Sequence, residues 1–225
     1  MLDVHPPHHR LGGLKDFFIH LLTISVGLLI AVGIEGCVER HQHRELAQDA
    51  RETLRKEIEG NSKTIERALP EIIKEQTKVS DTIAFLTHIR RNPKDKSLQK
   101  GSIDTDFSHT MLDDTAWKTA QTTGALAFMP YEDANKYSSI YEAQYQFKAS
   151  EEKTIEDSAQ FVGLVHKYDF DTDIAPEAAS ATLERFGIMQ MHLAMLKLSA
   201  ESAAAIDKSF LTGKDTSYNF HEVVK

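Results

Sequence analysis

The chain has 225 residues, with 26 basic against 34 acidic side chains and a formal net charge of -8. Such an acid excess lacks the positive footprint that binds phosphate backbones, so nucleic acid is not expected as a partner. The only cysteine is Cys37, which excludes an intrachain disulfide and a thiolate-built zinc centre and leaves the redox compartment unmarked. The length suits one principal folded domain with an anchor.

Residues 1–15 form a tail carrying His5, His8, His9, Arg10 and Lys15. It leads into FFIHLLTISVGLLIAVGI, residues 17–34, a run of 18 residues without Asp, Glu, Lys or Arg. At about 1.5 Å per residue the run reaches roughly 27 Å, close to the ~30 Å of a bilayer's hydrocarbon layer. A single transmembrane helix is therefore predicted over residues 16–37. A buried soluble helix would need a large core around it, and the stripes downstream are narrow. A cleaved export signal is the other alternative, with Arg10 and Lys15 as its leader and Ile34-Glu35-Gly36-Cys37 as a lipoprotein box. Glu35 stands where that box needs a small or apolar residue, no A-x-A site follows, and the run is overlong, so retention is expected.

Within the predicted span, Thr23, Gly27 and Ala31 recur every fourth residue. Small side chains on one face let a second helix approach closely, which predicts self-association there, although this spacing also arises by chance. His20 lies one turn inside the boundary, within reach of headgroups. Orientation is finely balanced. Arg40, Arg44, Arg51 and Arg55 outnumber Arg10 and Lys15 and favour a cytoplasmic body, while interleaved acids and the histidine-rich tail pull the other way.

Residues 38–225 are predicted as an all-α bundle domain. After Glu39, Leu54, Ile58, Ile65, Leu69, Ile72, Val79, Ile83 and Leu86 follow at spacings of three, four or seven, the seam of a packed helix running to about Arg90. Arg51, Asn61 and Gln76 interrupt that seam, making it looser than a dedicated coiled coil, and Pro70 is expected to kink or break it. RRNPKDKSLQKGS reads as a solvated loop. A short helix is expected from about Leu112 to Thr122, closed near Gly124. A long one starts after Pro130 at about Tyr131 and runs toward Tyr168, with Ala134, Tyr137, Tyr141, Ile155, Ala159 and Val162 as its apolar face. Its middle, KASEEKT, is polar all round and predicts a bend or a projecting stretch.

The last helix is bounded by Pro176 and Gly213. Phe186, Met189, Leu193, Leu196, Ala200, Ala203, Ile206 and Phe210 give it one packing face, with a drift at Ile206 because strict alternation lands on Asp207. Met189, Met191 and Met195 read as adaptable apolar filler rather than a metal or docking face. No two-residue alternation predicts a sheet. The expected architecture is an N-terminal single transmembrane helix followed by an antiparallel bundle of three long helices and one short helix.

No catalytic, cofactor-binding or metal residue is assigned. The bilayer would separate His5, His8 and His9 from His41 and His43, and the latter two diverge on a helix. HEVVK from His221 has Lys225 where a zinc-protease helix needs its second histidine. DFDTD, residues 169–173, has Ile174 and Ser180 where a calcium loop needs glycine and glutamate. GKDTS from Gly213 lacks the upstream glycine of a phosphate loop, and Cys37 has no designated base. An enzyme is not expected.

Two segments, DVHPPHH leading into DFFIHLLTISVGLLIAVGIEGCVE, and DDTAWKTAQTTGALAFMPYEDANKYSSIYE from Asp113, resemble a family of uncharacterised single-span bacterial proteins. Members of that family place a helical body with a tryptophan-bearing AWKTAQ-TGAL segment after an N-terminal span, and here the segment holds Trp117, Ala120, Gly124 and Pro130. The resemblance covers about a third of the chain. It implies a bacterial inner membrane and tips the body toward the extracytoplasmic side, and it carries no activity or functional residues. Physically, Trp117 is expected as a core anchor whose indole meets a carbonyl. The alternative is a ligand pocket of Trp117, Tyr131, Tyr137 and Tyr141. The sequence thus points to a non-catalytic membrane-anchored protein working through an unnamed protein partner or its own copies, with a small-ligand sensor as the competing class.

Overall fold

Among the described residues of the computed structural model, four α-helices account for the predicted elements: α1 (Leu14–Arg91), α2 (Thr115–Thr122), α3 (Tyr131–Tyr168) and α4 (Pro176–Thr212). It describes residues 13–100, 103, 109–168 and 173–214, and among these no strand occurs, only one isolated bridge between Lys100 and Asp173. The chain divides into two compact units, Met1–Asp49 and Ala50–Lys225.

In the first unit, α1 carries one stretch long and apolar enough to cross a membrane, with mean hydropathy 2.4 over its best window and none of that window buried by protein. Phe17, Leu22, Leu29 and Ile34 are all more than half exposed.

In the second unit, the α1 seam is buried largely as its spacing predicts. Leu54, Ile58, Ile65, Ile72, Val79 and Leu86 are core residues, while Leu69 and Ile83 pack against that core half-buried. The helix runs through Pro70 unbroken. Proline removes one backbone hydrogen bond, but Ile65 and Ile72 are held in the same core on either side, so tertiary packing carries the helix through the defect.

Contacts fix the directions of the helices. Arg51 meets Asp133, Tyr141 meets Glu57 and Asn61 meets Gln144, a nearly constant sequence offset that makes α1 and α3 parallel. Gln144 meets Asp207 and Asp157 meets His192, so α4 is antiparallel to α3. Arg55 with Leu211 and Gln190 with Ser80 give the same sense for α4 against α1. The antiparallel expectation therefore fits α4 with each neighbour but not α1 with α3. Asp113, just before α2, is held by Asn61, so the chain is back beside the middle of α1 before α2 begins.

Element ends follow local chemistry. Gly124 at φ 73° and Gly213 at φ 66° take the left-handed conformation that closes α2 and α4 without a Cβ penalty. Pro176 opens α4, and Glu132 and Asp133 sit in the first turn of α3, favourable to its dipole. The 92–100 loop is mostly exposed and holds a 3-10 turn, Lys96–Gln99, whose Asp95 carboxylate accepts from the Ser97 N–H. α2 starts three residues later than Leu112. Asn61 holds the Asp113 backbone by both its N–H, 2.9 Å, and its carbonyl, 2.7 Å, which keeps the approach non-helical while Leu112 is buried.

The expected face of α3 needs correction in its second half. Ile155 and Val162 are 40% and 53% exposed, and the buried positions are instead Phe147, Glu151, Thr154, Asp157 and Phe161. KASEEKT thus lies inside the continuous α3 and contributes two interior residues. Burial of these polar groups is tolerated because each is bonded. Glu151 accepts from the Thr110 N–H at 2.6 Å and pairs with His109, the Thr154 hydroxyl donates to the Glu151 carbonyl, and Asp157 pairs with His192 at 2.7 Å. The α4 face drifts less than expected: Asp207 is fully buried and Ile206 is only half-buried. Of the methionines, Met189 fills the core, whereas Met191 and Met195 are more than half exposed.

Candidate functional site

Thr23, Gly27 and Ala31 share one face of the exposed part of α1. The Thr23 hydroxyl donates to the Ile19 carbonyl at 2.8 Å, so it is satisfied within its own helix, and nothing lies within 4 Å of where a Gly27 Cβ would stand. That combination leaves a smooth strip with no outward polar demand. His20 is exposed on the same helix. Downstream, His41 and His43 pair with Glu45 and Glu39 one turn away. No group of three or more potential metal ligands occurs among the described residues. His5, His8, His9, HEVVK and all of DFDTD except Asp173 lie outside the described residues.

The second unit gathers its chemistry where α1, α2 and α3 meet. Glu57, half-buried on α1, accepts from the backbone N–H groups of Ala116 at 2.7 Å and Trp117 at 3.3 Å, and from the Tyr141 hydroxyl at 2.6 Å. A carboxylate from another helix thereby satisfies orphan donors of α2, a role that its N-cap residue Asp114 does not fill. Burial, then the adjacent Glu57 charge, holds the Tyr141 phenol above the ordinary tyrosine range, so it stays a donor. Trp117 stacks on the Tyr141 ring with centroids 4.8 Å apart at 12°. Glu57→Gln should cost about 1–3 kcal/mol, because one amide oxygen replaces a carboxylate serving three donors. Thermal melts and the emission maximum of the sole tryptophan, expected to move to the red, would check it.

Behind this corner runs a buried polar chain. The Asn61 amide donates to Gln144 Oε1 at 2.8 Å, and Gln144 Nε2 donates to both Asp207 oxygens at 3.0 and 3.1 Å. Burial raises the Asp207 carboxyl to about 7, offset in part by the Gln144 bond. The chain ties three helices together in one register, a role well suited to interior polar groups. Glu151 is likewise raised by burial, against the Thr110 and His109 contacts that lower it.

The four aromatics considered as a pocket do not converge. Trp117 and Tyr141 stack, Tyr137 pairs with Phe210 at 5.3 Å, and Tyr131 is 83% exposed. Among the described residues it is the Trp117 backbone N–H, rather than the indole, that is hydrogen-bonded. Beside the stack, a groove of about 560 Å³ runs between α2 and α3, lined among others by Trp117, Tyr141, Tyr145, Asp113, Glu142 and Lys148. Sequence periodicity missed Glu57, Gln144 and Asp207. Asp207 alone carried a signal, since unbroken three-four alternation points at it. No known protein family, curated protein or solved structure matches the chain.

Proposed function

We propose that this is a membrane-anchored, non-catalytic protein whose helical body works through protein contacts, including contacts with its own copies. One observation carries the anchoring: a stretch of α1 with mean hydropathy 2.4 is covered by no other described residue, and so large an exposed apolar surface is favourable in lipid and costly in water. The small-residue strip of Thr23, Gly27 and Ala31 supports pairing of spans. The resemblance to single-span bacterial proteins supports an inner-membrane location with the body on the extracytoplasmic side. A second reading, a sensor-like body taking a small ligand, is favoured by the groove beside Trp117.

Self-association is tested by oxidative crosslinking in native membranes with Ala31→Cys or Leu29→Cys in a Cys37→Ser background. Ala31→Cys should give the dimer and Leu29→Cys, on the opposite face, much less. Monomer throughout, or equal dimer from both faces, contradicts pairing along that strip.

A further inference from the structure

The groove between α2 and α3 has a composition that selects among ligands. Trp117, stacked on Tyr141 by one ring face, lines the groove together with Tyr145, which is 64% exposed. Of the charged groups on its walls, Lys118 and Asp114 neutralise each other at 2.9 Å. Asp113 and Glu142 remain against Lys148. Glu142 accepts only a neutral amide, from Gln146 at 2.8 Å, and the Asp113 backbone, not its carboxylate, is what Asn61 holds. Among the described residues neither acid has an ion-pair partner. Aromatic rings bordered by a surplus of one carboxylate attract a cation with an apolar skin, because ring quadrupoles and carboxylates act in the same sense. They disfavour phosphates and other anions.

We infer that the groove binds a small monovalent organic cation of the quaternary-ammonium type, its alkyl groups against Trp117 and Tyr145 and its charge answered by Asp113 and Glu142. This rests on the second reading above, that the body takes a small ligand.

The test uses the full chain in a maltoside detergent, which contributes no choline headgroup. Trp117 is the sole tryptophan, so its fluorescence reports the groove directly. Choline chloride should change the emission saturably at constant ionic strength, whereas 3,3-dimethyl-1-butanol, its uncharged isostere, should not. Tyr145→Ala and Asp113→Asn should each weaken choline binding by at least threefold while leaving the melting curve unchanged, since neither side chain is buried. Equal responses to choline and the isostere, no response to choline, or undiminished binding by both variants would overturn the inference. A thermal-shift panel of neutral and anionic solutes separates the two ideas: a shift there with none for choline leaves a ligand site but not this ligand, and no shift with any solute retires both.

Discussion

Asp207→Asn is expected to remove the pH dependence of stability that this buried carboxyl contributes. In the unfolded chain this carboxyl has the ordinary aspartate value of about 3.8, and in the fold burial raises it to about 7. The folded state therefore holds the proton more tightly. Its contribution is complete below the unfolded value, declines as pH climbs toward 7, and is lost above that. The full swing is on the order of 4 kcal/mol, about half of it falling between roughly pH 5.5 and pH 8.5. Asparagine keeps an acceptor for Gln144 Nε2 and cannot ionise. Urea or thermal melts at the two pH values should show the parent weakening by on the order of 2 kcal/mol more than the variant. Parallel pH profiles would mean that Asp207 is solvated or differently bonded.

The second large effect lies in the apolar stretch. Leu28→Arg with Leu29→Arg places two guanidinium groups near the middle of the 17–34 run, at side chains 60% and 73% exposed. Each charge at the centre of a span costs about 3 kcal/mol on insertion scales, so the pair should move most of the chain out of the membrane fraction. Helical content of the body should persist, because neither residue belongs to the Ala50–Lys225 unit. Unchanged membrane recovery of the double variant would require the chain to be held by something other than this stretch.

Where the chain obeys one-sided apolar periodicity, sequence reading located both helices and faces. The α4 bounds at Pro176 and Gly213 and the start of α3 at Tyr131 follow from proline, glycine and dipole rules that act within a single turn. The α1 seam was legible for the same reason. The second half of α3 was not, because Glu151, Thr154 and Asp157 face inward and Ile155 and Val162 face outward. Apolar periodicity records transfer free energy alone and cannot foresee that Thr110, His109 and His192 come from distant segments to satisfy buried polar groups. Glu57 was hidden likewise, since its value lies in donors about 60 to 84 residues away. At Asp207, the apolar Ile206 beside it was the more attractive seam residue, and the acid is bonded by Gln144, which comes from α3. The groove, too, depends on how α2 packs on α3, which no local pattern encodes.

We propose that the apolar part of α1 is lodged in lipid and tethers the helical body. The direct measurement is flotation: membranes from cells making the intact chain from Met1 are washed in alkaline carbonate and spun up through a density gradient. The chain is expected to rise with the lipid and to be released only by detergent. Recovery in the bottom, lipid-free fractions as a soluble species would contradict it.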